Sequence, residues 1–175
     1  MCRGALPEGP EKMWDEACRR YLLLARKVTL GKAKWNALVK ADRREMKELE
    51  GMFLEVANQG HAHAQGHLGT MFESGAGMKQ SMVESFKWNR LGAENGSAHA
   101  QHNVGRVYEL GLADVEVDLA EAFKWYLKAA EQGIVPSILA VGNFIIRGIG
   151  GSLKGPAEAY KWWVKAAEQG HPQAQ

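Results

Sequence analysis

The chain has 175 residues, 46% of them hydrophobic and 24% charged, with 22 Lys/Arg against 20 Asp/Glu and a formal charge of +2. That balance reads as a soluble globular protein and excludes a disordered one. Only two cysteines are present, Cys2 and Cys18, which argues against a disulfide framework and for a reducing compartment.

The opening MCRGALPEGP lacks the apolar stretch of a secretory signal, and residues 1–10 are expected to form a flexible N-terminus. YLLLA (21–25) is too short to cross a bilayer and is flanked by Arg19, Arg20, Arg26 and Lys27. Both observations point to a cytoplasmic location. Residues 11–50 are expected to form a basic helical segment, with ten basic and two acidic residues between Arg19 and Lys47. Such a stretch could meet nucleic acid or an acidic partner, but a solvated face on amphipathic helices is the better reading, and nucleic acid is not the expected partner.

From residue 51 onward the chain is periodic. LEGMFLEVANQG (49–60) has the look of a degraded second helix, closed by Gly60. HAHAQGHLGTMFESG then opens a unit that closes on FKWNRLGAENG (86–96). The ending returns as FKWYLKAAEQG (123–133) and as YKWWVKAAEQG (160–170). Gly60, Gly96, Gly133 and Gly170 are separated by 36, 37 and 37 residues, the signature of a repeat architecture. The units are expected at about 61–96, 97–133 and 134–170, with HPQAQ (171–175) starting another.

Each unit reads as two helices. The first carries Ala64, Gln65, Leu68, Gly69, Phe72 and Gly75, and again Ala100, Gln101, Val104, Gly105, Tyr108 and Gly111. The third copy keeps Gly142 and Gly148, with Ile145 at the aromatic position. Gly69, Gly105 and Gly142 fall inside a helix, at roughly 1 kcal/mol relative to Ala, which suggests close backbone approach between neighbouring helices. The second helix starts at Ser81 with Glu84, at Asp118 with Glu121, and at Gly155 with Pro156 and Glu158. The first two pairs fit a capping box, in which the glutamate reaches back to the capping residue. Ala122, Phe123, Tyr126, Ala129 and Ala130 then form one apolar face. Stacking such hairpins buries faces that no unit can bury alone. The tryptophan column Trp88, Trp125 and Trp162 is expected to anchor the stack.

On these residues the chain resembles a Sel1-like repeat (SLR) protein, related to tetratricopeptide repeats. The resemblance covers residues 61–170 and rests on the Ala-Gln-x-x-Leu-Gly skeleton, the glycine after the first helix and the (Phe/Tyr)-Lys-Trp ending. It implies an all-α, right-handed α/α superhelix, or solenoid, acting as a non-catalytic adaptor for other proteins. A rival within the family is a small-molecule binder or hydrolase that recognises β-lactams. Those relatives carry a cysteine pair in each repeat, which this sequence lacks.

Chemistry-bearing patterns are sparse. His63 and His67 lie i, i+4, a spacing that can hold a metal, and His99 shares the column of His63. No carboxylate or cysteine falls at ligand spacing beside them, so no metal is expected. No nucleophile elbow is present. GIGGSLKG (148–155) holds Lys154 but is not a phosphate loop and follows a helix, so no cofactor is expected. In stacked hairpins the first helices usually line the concave wall. Their positions outside the skeleton are His63, His67, Thr70, Glu73, His99, Asn103, Arg106, Glu109, Asn143 and Arg147. This mixed polar surface suits a protein or peptide partner. The last hairpin, followed only by HPQAQ, is a candidate for self-association.

Overall fold

The computed structural model describes residues 9–29, 40–149 and 155–168. Most of the expected flexible N-terminus, Lys154 and the start of another unit at 171 lie outside these residues. Among the described residues there are eight helices: α1 (Pro10–Thr29), α2 (Lys40–Asn58), α3 (Ala62–Ser74), α4 (Met82–Glu94), α5 (Ala98–Leu110), α6 (Leu119–Glu131), α7 (Val135–Ile146) and α8 (Pro156–Glu168). Each packs on the next in chain order, and α3 also touches α5. The architecture is an all-α solenoid of hairpins.

The apolar columns divide into successive cores. Leu24 of α1, Phe53 and Val56 of α2, and Leu68 and Met71 of α3 form the first. Ala93, Ala100, Val104 and Trp125 form a middle cluster. Tyr126, Ile138, Val141 and Ala159 belong to the third. Partly buried Trp88 packs on the first core and Trp162 on the third, so each tryptophan of the column sits in a different core. Every core takes residues from more than one hairpin, so each unit is stabilised by its neighbour.

Local signals explain the helix ends. Ser97 Oγ accepts from Ala100 N at 3.5 Å, and His61 Nδ1 fills the same role for α3, accepting from Ala64 N at 3.1 Å. The Asp118 carboxylate accepts from Ala120 N and Glu121 N at 3.0 and 2.9 Å, and Ser81 Oγ accepts from Glu84 N at 3.2 Å. The reciprocal half of the capping box does not form. The backbone N–H of Ser81 donates to Phe72 O and that of Asp118 to Tyr108 O, both at 2.9 Å, which ties the start of each second helix to the first. Glu84 and Glu121 are thereby free to pair with Lys87 and Lys124 one turn on.

The mid-helix glycines also have a different cause from the one the sequence suggests. A Cβ on Gly69, Gly105 or Gly142 would come within 3.0 Å of a side chain of the following helix: Asn89, Tyr126 and Trp163 respectively. These three residues occupy one column, directly after the column tryptophan. The glycine is a seat for a side chain. Close backbone approach occurs instead at Gly92, where a Cβ would lie 2.9 Å from Gly66 N and 3.0 Å from Ala62 O.

The Ala-Gln pair of the first helix has a bonding role. Gln65 Nε2 donates to Ala57 O at 3.0 Å, and Gln65 Oε1 accepts from Asn95 Nδ2 at 2.8 Å. One unit later Gln101 Nε2 donates to Ala93 O at 3.2 Å and Gln101 Oε1 accepts from Gln132 Nε2 at 2.8 Å. Each glutamine joins the end of the preceding hairpin to the end of its own. In the third unit Ile138 takes this position, so the ladder stops there.

Candidate functional site

The wall made by α3, α5 and α7 contains all ten residues singled out above, in three different situations. His63, Thr70, His99, Asn143 and Arg147 are exposed. Glu73, Asn103, Arg106 and Glu109 are half-buried and engaged across helices. Arg106 Nη1 lies 3.2 Å from Glu73 Oε1, an ion pair bridging α5 and α3. Tyr126 Oη of α6 donates to Glu109 Oε2 at 2.6 Å. Burial and this carboxylate push the tyrosine hydroxyl well above its usual range. Asn103 Nδ2 donates to Asn89 Oδ1 of α4 at 3.1 Å.

His67 belongs to a third setting. Its ring packs against Phe53 of α2 and against Trp14 and Tyr21 of α1, with centroids 4.5, 5.8 and 4.9 Å away, and its Nε2 is buried without a hydrogen-bond partner. Burial lowers its pKa to about 4, so the ring is neutral at neutral pH. His67 is therefore half-buried and packs the wall against α1, with its Nε2 turned away from solvent. With His61 capping α3 and His63 exposed, the HAHAQGH cluster serves three separate purposes. Among the described residues no three His, Cys, Asp or Glu side chains are grouped to hold a metal.

Sequence reasoning overlooked two contributors. His102 Nδ1 lies 2.8 Å from Ser137 Oγ, joining α5 to α7, and burial, with Arg106 and His99 nearby, lowers the His102 pKa to about 4. Neither residue repeats in the other units at its column, which removed the signal that periodicity supplies elsewhere.

The basic segment divides similarly. Arg20 lies 2.6 Å from Glu45 and 3.1 Å from Glu48, and Lys27 lies 2.5 Å from Asp42. Three carboxylates of α2 thus meet two cations of α1 across the first hairpin.

Residues 62–97, 98–134 and 136–171 each match the Sel1 repeat, and the chain belongs to the Sel1 repeat family. Among solved structures it is similar to a Sel1 repeat protein from Oxalobacter formigenes, at 33% identity over 70% of this chain and 90% of that one, with a TM-score of 0.65. It is also similar to c5321, a protective antigen of uropathogenic Escherichia coli strains with an SLR fold, at 27% identity and a TM-score of 0.70. That match covers 96% of this chain but only 35% of c5321. Helicobacter pylori cysteine rich protein B shares the fold at 22% identity, over 75% of this chain and 93% of that one, with a TM-score of 0.55. No curated protein matches the chain. No helix among the described residues is long and apolar enough to cross a membrane.

Proposed function

We propose that this chain is a non-catalytic scaffold that holds a polypeptide partner against the wall formed by α3, α5 and α7. Sel1 repeats are generally protein-interaction modules. The observation that carries the reading is the division of labour within each first helix. One side is committed to packing through Ala64, Leu68, Ala100, Val104, Ile138 and Val141, all fully buried. The other presents His63, Thr70, His99, Asn143 and Arg147 to solvent in register from unit to unit. Conserving geometry while varying side chains is how a solenoid offers an extended surface to a partner.

A photo-crosslinking amino acid tests this directly. Placed at Thr70 or Asn143 it is expected to trap polypeptide adducts, while at Lys87 or Lys124 on the second helices it should trap none. Adducts mainly from the second helices would refute the reading.

A further inference from the structure

Aligned by the repeat, the outward positions of the first helices form three columns: His63, His99 and Pro136; Thr70, Arg106 and Asn143; Ser74, Leu110 and Arg147. None of these is a carboxylate. The two carboxylates of the adjacent column, Glu73 and Glu109, are already engaged, by Arg106 and by the Tyr126 hydroxyl. Asn143 and Arg147 have no side-chain partner among the described residues. Arg106 gives one N–H to Glu73, and its side chain remains 38% exposed. The guanidinium has five N–H donors, so most of its capacity remains for a ligand. Thr70 and Ser74 turn their hydroxyls back onto Gly66 O and Thr70 O, at 3.2 and 2.9 Å. The side-chain groups left to solvent in these columns are the imidazoles of His63 and His99, the Asn143 amide and the guanidinium groups of Arg106 and Arg147, and the only full charges among them are positive.

Resting on the reading above, we infer that the partner is an acidic segment of polypeptide laid across α3, α5 and α7, with its carboxylates on Arg106 and Arg147. Arginine favours this role because its planar donors match a carboxylate in a bidentate fashion. The amide of Asn143 and the imidazole of His99 can donate to the same ligand or to its backbone. A nucleic acid fits less well. Two cations release few counterions from a phosphate backbone, and the three columns hold no Phe, Tyr or Trp, only the imidazoles of His63 and His99, on which a base could stack.

The test is fluorescence anisotropy on the full chain with three sets of short peptides, equal in apolar content and carrying Asp/Glu, Asn/Gln or Lys/Arg at the variable positions. A single-stranded RNA of similar length is the fourth probe. The acidic set is expected to bind at least about tenfold more tightly than the neutral set, and to weaken as salt is raised. Arg147→Glu, at an exposed position, should abolish that margin, and Arg106→Gln should reduce it without placing a new carboxylate beside Glu73. Lys87→Glu and Lys124→Glu should leave it unchanged, and unaltered circular dichroism melts would show that all four variants are folded. Neutral peptides that bind as tightly as acidic ones, and lose affinity in Arg106→Gln, would overturn the acidic preference while sparing the interaction reading. RNA binding tighter than the acidic set would overturn it in favour of nucleic acid. No binding by any peptide, together with crosslinks confined to the second helices, would overturn both.

Discussion

His67 and His102 are held neutral by burial, one among the rings of Trp14, Tyr21 and Phe53, the other against Ser137. Both have folded-state pKa values near 4, below the ordinary 6.5. Between those limits the unfolded chain binds more protons than the folded one, so stability falls as pH drops from 6.5 toward 4. Each histidine contributes a slope of up to about 1.4 kcal/mol per pH unit. Urea unfolding at pH 7 and pH 5 should show this loss, and His102→Gln should flatten the dependence. Equal stabilities at the two pH values would contradict the burial described. Gly105 offers a second test. Alanine there gains about 1 kcal/mol of helix propensity, yet its Cβ would displace the Tyr126 ring and with it the bond to Glu109. Gly105→Ala should therefore lower stability by about 1–3 kcal/mol in chemical denaturation. The glycine column was readable as a packing constraint because it recurs. What it accommodates was not, because Asn89, Tyr126 and Trp163 share a position without sharing chemistry.

Helix starts were the most legible feature, because capping is local: Ser81 and Asp118 sit one residue before α4 and α6. The glutamates three residues on were misread for the opposite reason. The capping residue's own N–H is already taken by a carbonyl of the preceding helix, a contact that no local pattern reveals. The glutamine ladder is also nonlocal, with Gln101 reaching back to Ala93 O and being reached by Gln132 from 31 positions further along. Replacing Gln101 with Met keeps the volume and removes both side-chain bonds, while the Ala93 carbonyl still accepts from Gly96 N at 3.2 Å. A loss of about 0.5–1.5 kcal/mol is expected. Gln132→Ala, at an exposed position, should cost less. A denaturation experiment that ranks the two the other way would show that the ladder is incidental to hairpin stacking. The α1 cations illustrate the same limit: the basic run was read as a solvated helix face, and its pairing with Asp42, Glu45 and Glu48 across the hairpin was not legible in the letters.

Hairpins that share cores behave as a chain of nearest-neighbour contacts, and this organisation leaves one set of helices free to vary on its outward side. Periodicity made that architecture evident before any coordinates, since a 36–37-residue period and two helix signatures per unit admit few alternatives. The surface chemistry was less evident. Letters alone show Glu73, Arg106 and Glu109 as a wall of mixed sign, and only their pairing shows that the carboxylates are engaged within the fold. Hydrogen exchange on the full chain, with and without a saturating acidic peptide, puts the central claim to its most direct test. Slowed exchange is expected in α3, α5 and α7, with α4, α6 and α8 unaltered. Protection confined to α4, α6 and α8 would contradict it.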